Sequence, residues 1–232
     1  MAVAVTSKPK RPAPSAKAPA RADAALEPVR DAERTRQALL AAAEIEFANK
    51  GLAGARVDII AEQAAANKRM LYYYFGSKED LYLAVLERAY GAMRQTEREL
   101  NLTNVEPLEA IKTLVEFKFD YCQKHPTIIA LLAGENMHSA KYLKRSRRLR
   151  EMHLSLVDVI RTVLAAGEQK GVIQPGLDPL HLYISISALS YFYFSNSATL
   201  SVAFGRPLAS MTEQKLRRAH AVDLILSYVT AH

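Results

Sequence analysis

Apolar positions recur at helical spacing along most of the chain, and nowhere do they alternate over the length of a strand. From Asp31 to Asn49, Leu39, Leu40, Ala43 and Phe47 fall on one side, and Gly51 stops the run. Val57, Ile60, Ala61 and Ala64 stand at i, i+3, i+4 and i+7, which predicts a short helix over 57–64. Asn67, whose side-chain oxygen can accept from a backbone N–H two or three residues on, opens another helix over 68–75. Gly76 and Ser77 punctuate, and Ser77 can cap a long helix from Lys78 to about Leu100, striped by Leu81, Val85, Leu86, Ala89 and Met93. Further helices are predicted over Pro107 to about His125, Pro126 to Met137, Tyr142 to Gln169, Pro179 to about Phe204 and Thr212 to about Val229. The reading is all-α: an N-terminal three-helix helix-turn-helix domain over 30–77 and a helical domain over 78–232.

The stretch VDIIAEQAAANKRMLYYYFGSK, residues 57–78, concentrates the chemistry. One short helix presents a second whose first turn carries Lys68, Arg69 and Met70, an arrangement suited to a DNA major groove. Leu71, Tyr73 and Phe75 alternate with Tyr72 and Tyr74; the alternation assigns the first three to packing. Upstream, residues 1–22 hold Pro, Ala, Lys and Arg and no acid, so 1–29 read as a disordered basic tail. That tail is either a solubilising leader or an arm on phosphates.

IAEQA, an Asn-capped turn and LYYYFGSKEDLYLAVL together resemble the DNA-binding domain of TetR-type transcriptional regulators, over Glu33 to Glu87. Three departures stand out: Ala65-Ala66-Asn67 in place of Gly-Val-Ser, Tyr74 where His is common, and Ala55-Arg56 where Thr-Thr would supply a hydroxyl cap. The turn must therefore form without glycine. The resemblance implies a homodimer joined through its last two helices, a C-terminal site for a small effector, and double-stranded DNA with a palindromic operator as partner. It implies a repressor released by that effector, with an activator of the same fold as the alternative. It also implies DNA contacts at Arg56, Lys68, Arg69, Met70, Tyr72, Tyr74 and Lys78. The region around Arg56 and the LYLAVL helix are further similar to regulators of pyrimidine and related heterocycle catabolism.

A net charge of +7 permits nucleic-acid binding, specific or by charge alone. One cysteine, Cys122, fits a reducing cytosol, and no uninterrupted apolar run is long enough to span a bilayer, so the expectation is a soluble, cytoplasmic protein that meets no membrane. No nucleophile elbow, metal triad or phosphate loop marks an enzyme, and no cofactor is expected. Glu135 and His138 form a lone i, i+3 pair, too little for a metal site.

Polar residues on apolar stripes mark the candidate effector site, because burial there demands a partner. They are Lys118, Tyr121 and Cys122 beside Ile111, Leu114 and Val115; Glu135 and Asn136; His153 between Leu149 and Leu156; and Tyr191 and Ser195. Either Lys118 and Glu135 pair or reach solvent, or Lys118 holds a small polar effector, anions included, among tyrosines. Tyr90, Met93 and Arg94 would lie between that pocket and the DNA reader. Leu180, Ile184, Ala188, Tyr191 and Ser195, then Val222, Leu226 and Val229, form seams for the dimer or for intrachain core. Lys141, Lys144, Arg145, Arg147, Arg148 and Arg150 crowd a helix start, which demands solvent or an acidic partner.

Overall fold

The computed structural model describes Met1 and residues 23–231, with side chains from Asp31 onward. The basic tail of residues 1–22 lies outside the described residues. Nine α-helices follow within them: α1 Asp23–Gly54, α2 Val57–Gln63, α3 Lys68–Phe75, α4 Lys78–Glu99, α5 Pro107–Lys124, α6 Pro126–Met137, α7 Arg147–Gln169, α8 Pro179–Phe204 and α9 Met211–Val229. Among the described residues the only extended pairing is an isolated antiparallel bridge between Ile173 and Thr230.

Two boundaries differ from expectation. Helix α1 begins at Asp23 rather than Asp31, so residues 23–29 are helical and not part of a disordered tail. Ala24, Ala25, Leu26 and Glu27 are strong helix formers, and their propensity outweighs the absence of an apolar stripe. Helix α7 begins at Arg147, not Tyr142. Leu143–Arg145 form a separate 3-10 turn, and Ser146 then caps α7 by accepting from the Leu149 amide at 3.2 Å.

The other caps follow the sequence. Asn67 accepts from the Met70 amide, Ser77 from Asp80, Asp178 from Leu180 and His181, and Ser210 from Glu213. Inside α1 the helix breaks at Gly51, whose φ of 64° is open to glycine without strain. The α2–α3 turn closes without glycine because Ala65 takes φ 50°. Its amide donates to the Glu62 carbonyl at 3.0 Å, and the Ala66 amide donates to the Ala61 carbonyl at 2.9 Å.

Two apolar cores organise the chain. The first joins Leu39, Ala43 and Phe47 of α1, Ile60, Leu71, and Leu81, Val85 and Leu86 of α4 to Ile128 and Leu131 of α6. The reader helices therefore close their core with a helix of the C-terminal region. The second packs Ile111, Leu114 and Val115 of α5 against Ile160, Ile186, Ala221, Ile225 and Val229. Helix α5 contributes to both cores, with Tyr121 in the first, and α4 runs from the first core toward Leu102 of the second. Together they tie the reader to the rest of the molecule.

Left-handed backbone costs a non-glycine residue roughly 1–2 kcal/mol. Ala65→Gly should therefore stabilise the protein by about 0.5–1 kcal/mol after the added freedom of the unfolded chain is subtracted. A urea melt checks this, and a lower midpoint would contradict it.

Candidate functional site

The DNA reader is a short helix held by one deep anchor. Leu71 is fully buried, and Tyr74 and Phe75 pack with it against the first core. These three stand at i, i+3 and i+4, the spacing of one helical face. Tyr72 and Tyr73 are thereby turned outward, 43% and 80% exposed. Tyr73, expected in packing, is instead the most exposed ring of the helix, and Tyr74, expected at DNA, is half-buried. A helix rotates about 100° per residue, so an odd-even alternation cannot assign its faces.

Lys68, Arg69 and Arg56 are exposed, whereas Met70 and Lys78 are half-buried. The Lys68 ammonium lies 2.9 Å from the Asp58 carboxylate of α2. That hydrogen bond and the mutual charge hold Asp58 below the usual carboxylate range and Lys68 above its usual value. The Arg56 amide donates to Glu46 Oε1 at 3.0 Å, fixing the start of α2 where the hydroxyl cap is missing. Lys78 Nζ donates toward the Ala53 carbonyl at 3.4 Å, at the end of α1.

Where the two cores meet, three charged side chains are almost wholly removed from solvent. Lys118 lies 3.2 Å from Glu97 Oε1, and the Arg94 guanidinium binds the other oxygen of the same carboxylate. Arg94 Nη2 also donates to the Tyr183 hydroxyl at 3.0 Å, and Lys118 Nζ sits 5.0 Å from the centre of the Tyr183 ring. Two cations share one carboxylate, leaving an excess positive charge in the interior. Burial alone would push the Tyr183 phenol up, yet Lys118 and Arg94 outweigh it and hold the phenol below its ordinary value. The field at this point favours anions.

Arg94 Nε is buried without a hydrogen bond, and Ser190 Oγ of α8 is likewise buried and unpartnered. Each such group costs about 1–3 kcal/mol when left unsatisfied. A cavity of about 120 Å³ adjoins the cluster, lined by Arg94, Glu97, Leu102, Met152, Leu156 and Val159. His153 flanks the region edge-on to Tyr90. Its Nδ1 must donate to the Leu149 carbonyl, at 2.7 Å, because a carbonyl can only accept. Burial pushes the His153 pKa down, favouring the neutral ring.

The expected effector residues divide. Lys118 sits in the cluster and His153 beside it. Tyr121 is buried in the first core, stacked on His125, and Tyr191 packs half-buried against that core. Cys122 packs there too, its thiol pushed up to about 11 by burial. Glu135 does not pair with Lys118: its Oε2 accepts from the Tyr142 and Leu143 amides at 3.2 and 3.0 Å. Asn136 and Ser195 are exposed, Ser195 donating to the Phe192 carbonyl. Both lie past the apolar stripes used to place them, at positions their helices turn to solvent. Glu97 and Tyr183 went unrecognised, although Glu97 continues the α4 stripe three residues beyond Arg94 and obeys the criterion that found Lys118.

Of the seams, Leu180, Ile184 and Ala188 of α8 are exposed, as a docking face requires. Val222 and Val229 are buried and Leu226 is half-buried within the second core, so that α9 seam is intrachain packing. The outward stripe of α9 is Leu216, His220, Leu224 and Tyr228, at strict four-residue spacing. Among the described residues no cluster of metal-ligating side chains occurs, and no helix is long and apolar enough to cross a membrane.

Comparison with known proteins identifies two regions of the chain. Residues 39–85 match the family described as bacterial regulatory proteins, tetR family, and residues 107–225 match the tetracyclin repressor-like C-terminal domain. The chain is 41% identical over 170 residues to the HTH-type transcriptional repressor NicS of Pseudomonas putida, covering 73% of this chain and 80% of NicS. It is 31% identical to the HTH-type transcriptional regulator RutR of Escherichia coli, covering 75% of this chain and 80% of RutR. A crystal structure of SCO4942 from Streptomyces coelicolor superposes with a TM-score of 0.64 at 28% identity, covering 84% of this chain and 98% of that one.

Removing the shared carboxylate strands two buried cations, which typically costs about 3–5 kcal/mol. Glu97→Ala should lower stability by that amount in a urea melt. Glu99→Ala, at an exposed position two residues on, should stay within about 0.5 kcal/mol. Equal effects would contradict the cluster.

Proposed function

Because the chain belongs to the TetR family of helix-turn-helix transcriptional regulators, we propose that it is a homodimeric repressor, released from a palindromic operator by a small anionic effector. It acts in the cytoplasm, on double-stranded DNA. The observation that carries the effector half is the buried excess of positive charge at Arg94, Lys118 and Glu97. A carboxylate-bearing ligand would supply the missing negative charge and meet the unpartnered Arg94 Nε. That the relative NicS is a transcriptional repressor supports the sign of regulation.

The reader supports the DNA half. Arg69 and Lys68 offer donors to guanine O6 and N7, each good pair worth about 1–3 kcal/mol of discrimination. Tyr72 and Tyr73 flank them on the outward face, and Arg56, Tyr74 and Lys78 adjoin the phosphate path. Met70 lies at the edge of the same surface. Lys68 exchanges Asp58 for DNA on binding.

Dimerisation rests on the two outward stripes, Leu180, Ile184, Ala188 and Phe192 on α8 and Leu216, Leu224 and Tyr228 on α9. Packed against their symmetry copies they make a four-helix interface. Two readers then stand about 34–36 Å apart, one DNA turn. Helix α4 carries Lys78 at one end and Arg94 sixteen residues on, about 24 Å along its axis at 1.5 Å per residue. An effector that competes with Glu97 for Arg94 and Lys118 favours another setting of α4 and shifts the population away from the DNA-competent spacing.

Selection of bound sequences from random duplex DNA should enrich a palindrome with half-sites about one turn apart. The same selection with Arg69→Ala should return a degenerate half-site; no enrichment by the parent protein would remove the operator reading. A panel of small carboxylates should contain members that release the selected duplex. Lys118→Met should then need roughly 10–100 times more of the same compound, the worth of a charge-assisted hydrogen bond. Release at unchanged concentration would remove Lys118 from the effector site.

A further inference from the structure

Residues 141–150 carry six cations, Lys141, Lys144, Arg145, Arg147, Arg148 and Arg150, and no acid. All six are exposed. Three of them occupy the first turn of α7, where the helix dipole disfavours positive charge by about 0.3–1 kcal/mol each. A fold that tolerates this crowding is poised for an anionic surface.

The position of the segment says which surface. Its 3-10 turn is strapped onto the reader side of the molecule by three carboxylates. Buried Glu135 accepts from the Tyr142 and Leu143 amides. Asp80, which also receives the Ser77 hydroxyl, pairs with Arg145 at 2.5 Å. Glu87 accepts from the Ser146 hydroxyl at 2.5 Å. Asp80 lies two residues from Lys78, and Lys78 lines one cavity of about 290 Å³ with Glu135, His138 and Tyr142. On the far side, Arg148 shares a groove with Arg36 and Arg88. The strap thus lies against the reader side of the molecule, beside Lys78 at Tyr142 and beside Arg36 and Arg88 at Arg148, although it belongs to the C-terminal region by sequence.

We propose that residues 141–150 form a second phosphate-binding surface, which holds the DNA backbone beside the reader without reading sequence. The proposal rests on the DNA-binding reading above. Lys141, Lys144 and Arg148 meet the phosphates, and Arg147 joins them by exchanging its ion pair with Glu151 at 2.7 Å. Arg145 holds the strap in place through Asp80. Its contribution is electrostatic and therefore appears in the salt dependence of binding rather than in the operator preference.

The test measures affinity against salt concentration, on the duplex selected by the full-length protein and on a random-sequence duplex of equal length spanning both half-sites. Lys78→Gln, which removes one phosphate contact from each protomer, serves as the benchmark, and the test variant replaces Lys141, Lys144, Arg147 and Arg148 with Gln. The logarithmic salt slope should fall by about 0.9 for each phosphate no longer neutralised, so by about 1.8 in the Lys78→Gln homodimer and by up to about 7 in the fourfold variant. The ratio of selected to random affinity and the melting temperature should be unchanged. An unchanged slope in the fourfold variant, with weakened binding in Lys78→Gln, overturns the strap while leaving the DNA reader intact. A fall confined to the selected duplex also overturns it, since that would mean sequence readout. If the fourfold variant melts early, Lys144→Glu alone decides: weaker binding to both duplexes supports the strap, and unchanged binding overturns it.

Discussion

A single carboxylate shared by two buried cations stands at the junction of the two cores, and the architecture depends on how that junction is set. Lys118 follows Leu114 and Val115 of the second core and precedes Tyr121 and Cys122 of the first. Glu97 follows Tyr90 and Met93 of the first core and precedes Leu102 of the second. Desolvating such groups is expensive, and hydrophobic substitutes of equal volume often stabilise a protein more. The cluster is thus poorly explained by stability alone. An interior that is one negative charge short, with Arg94 Nε unpartnered, is what the proposed effector would complete.

Helix α4 converts that local imbalance into geometry. Its first turn is capped by Ser77 and tied to the end of α1 by Lys78, and its later turns hold Tyr90, Arg94 and Glu97. Close-packed helices do not bend smoothly; they rest in one arrangement or another. A change in which anion satisfies Arg94 therefore has a rigid lever through which to reach Lys78.

Most of the fold was legible in the residues, because capping and helical period act locally. Asn67, Ser77, Asp178 and Pro107 place helix starts within a residue, and Gly51 places the α1 break. The reader's faces were less legible. Tyr72, Tyr73 and Tyr74 are chemically alike, so only the rotation per residue separates the exposed rings from the packed one. The buried cluster was legible in Lys118, whereas Arg94 was legible only as lying between pocket and reader. Glu135, offered as a partner of Lys118, binds elsewhere, because the partner of a buried charge depends on which helices meet. Glu97 and Glu135 look equivalent along the chain. One faces Lys118 across the meeting of α4 and α5, and the other folds over its own following turn.

The strap at Asp80 and Arg145 has a consequence for anyone recombining sensors and readers. A helix-turn-helix unit that ends at Phe75 looks detachable, since its exposed side chains touch little beyond α2. Its core, however, is finished by α6, and the α4 cap is pinned by a cation from beyond α6. A chimera joined within Gly76-Ser77 would keep α4 with its native strap, yet its foreign reader would have to match the α4 and α6 surfaces that Leu39, Phe47 and Leu71 now fill. Exchanging only the outward residues of α3 leaves that inner surface intact. Specificity can therefore be transplanted as a handful of side chains more cleanly than as a domain.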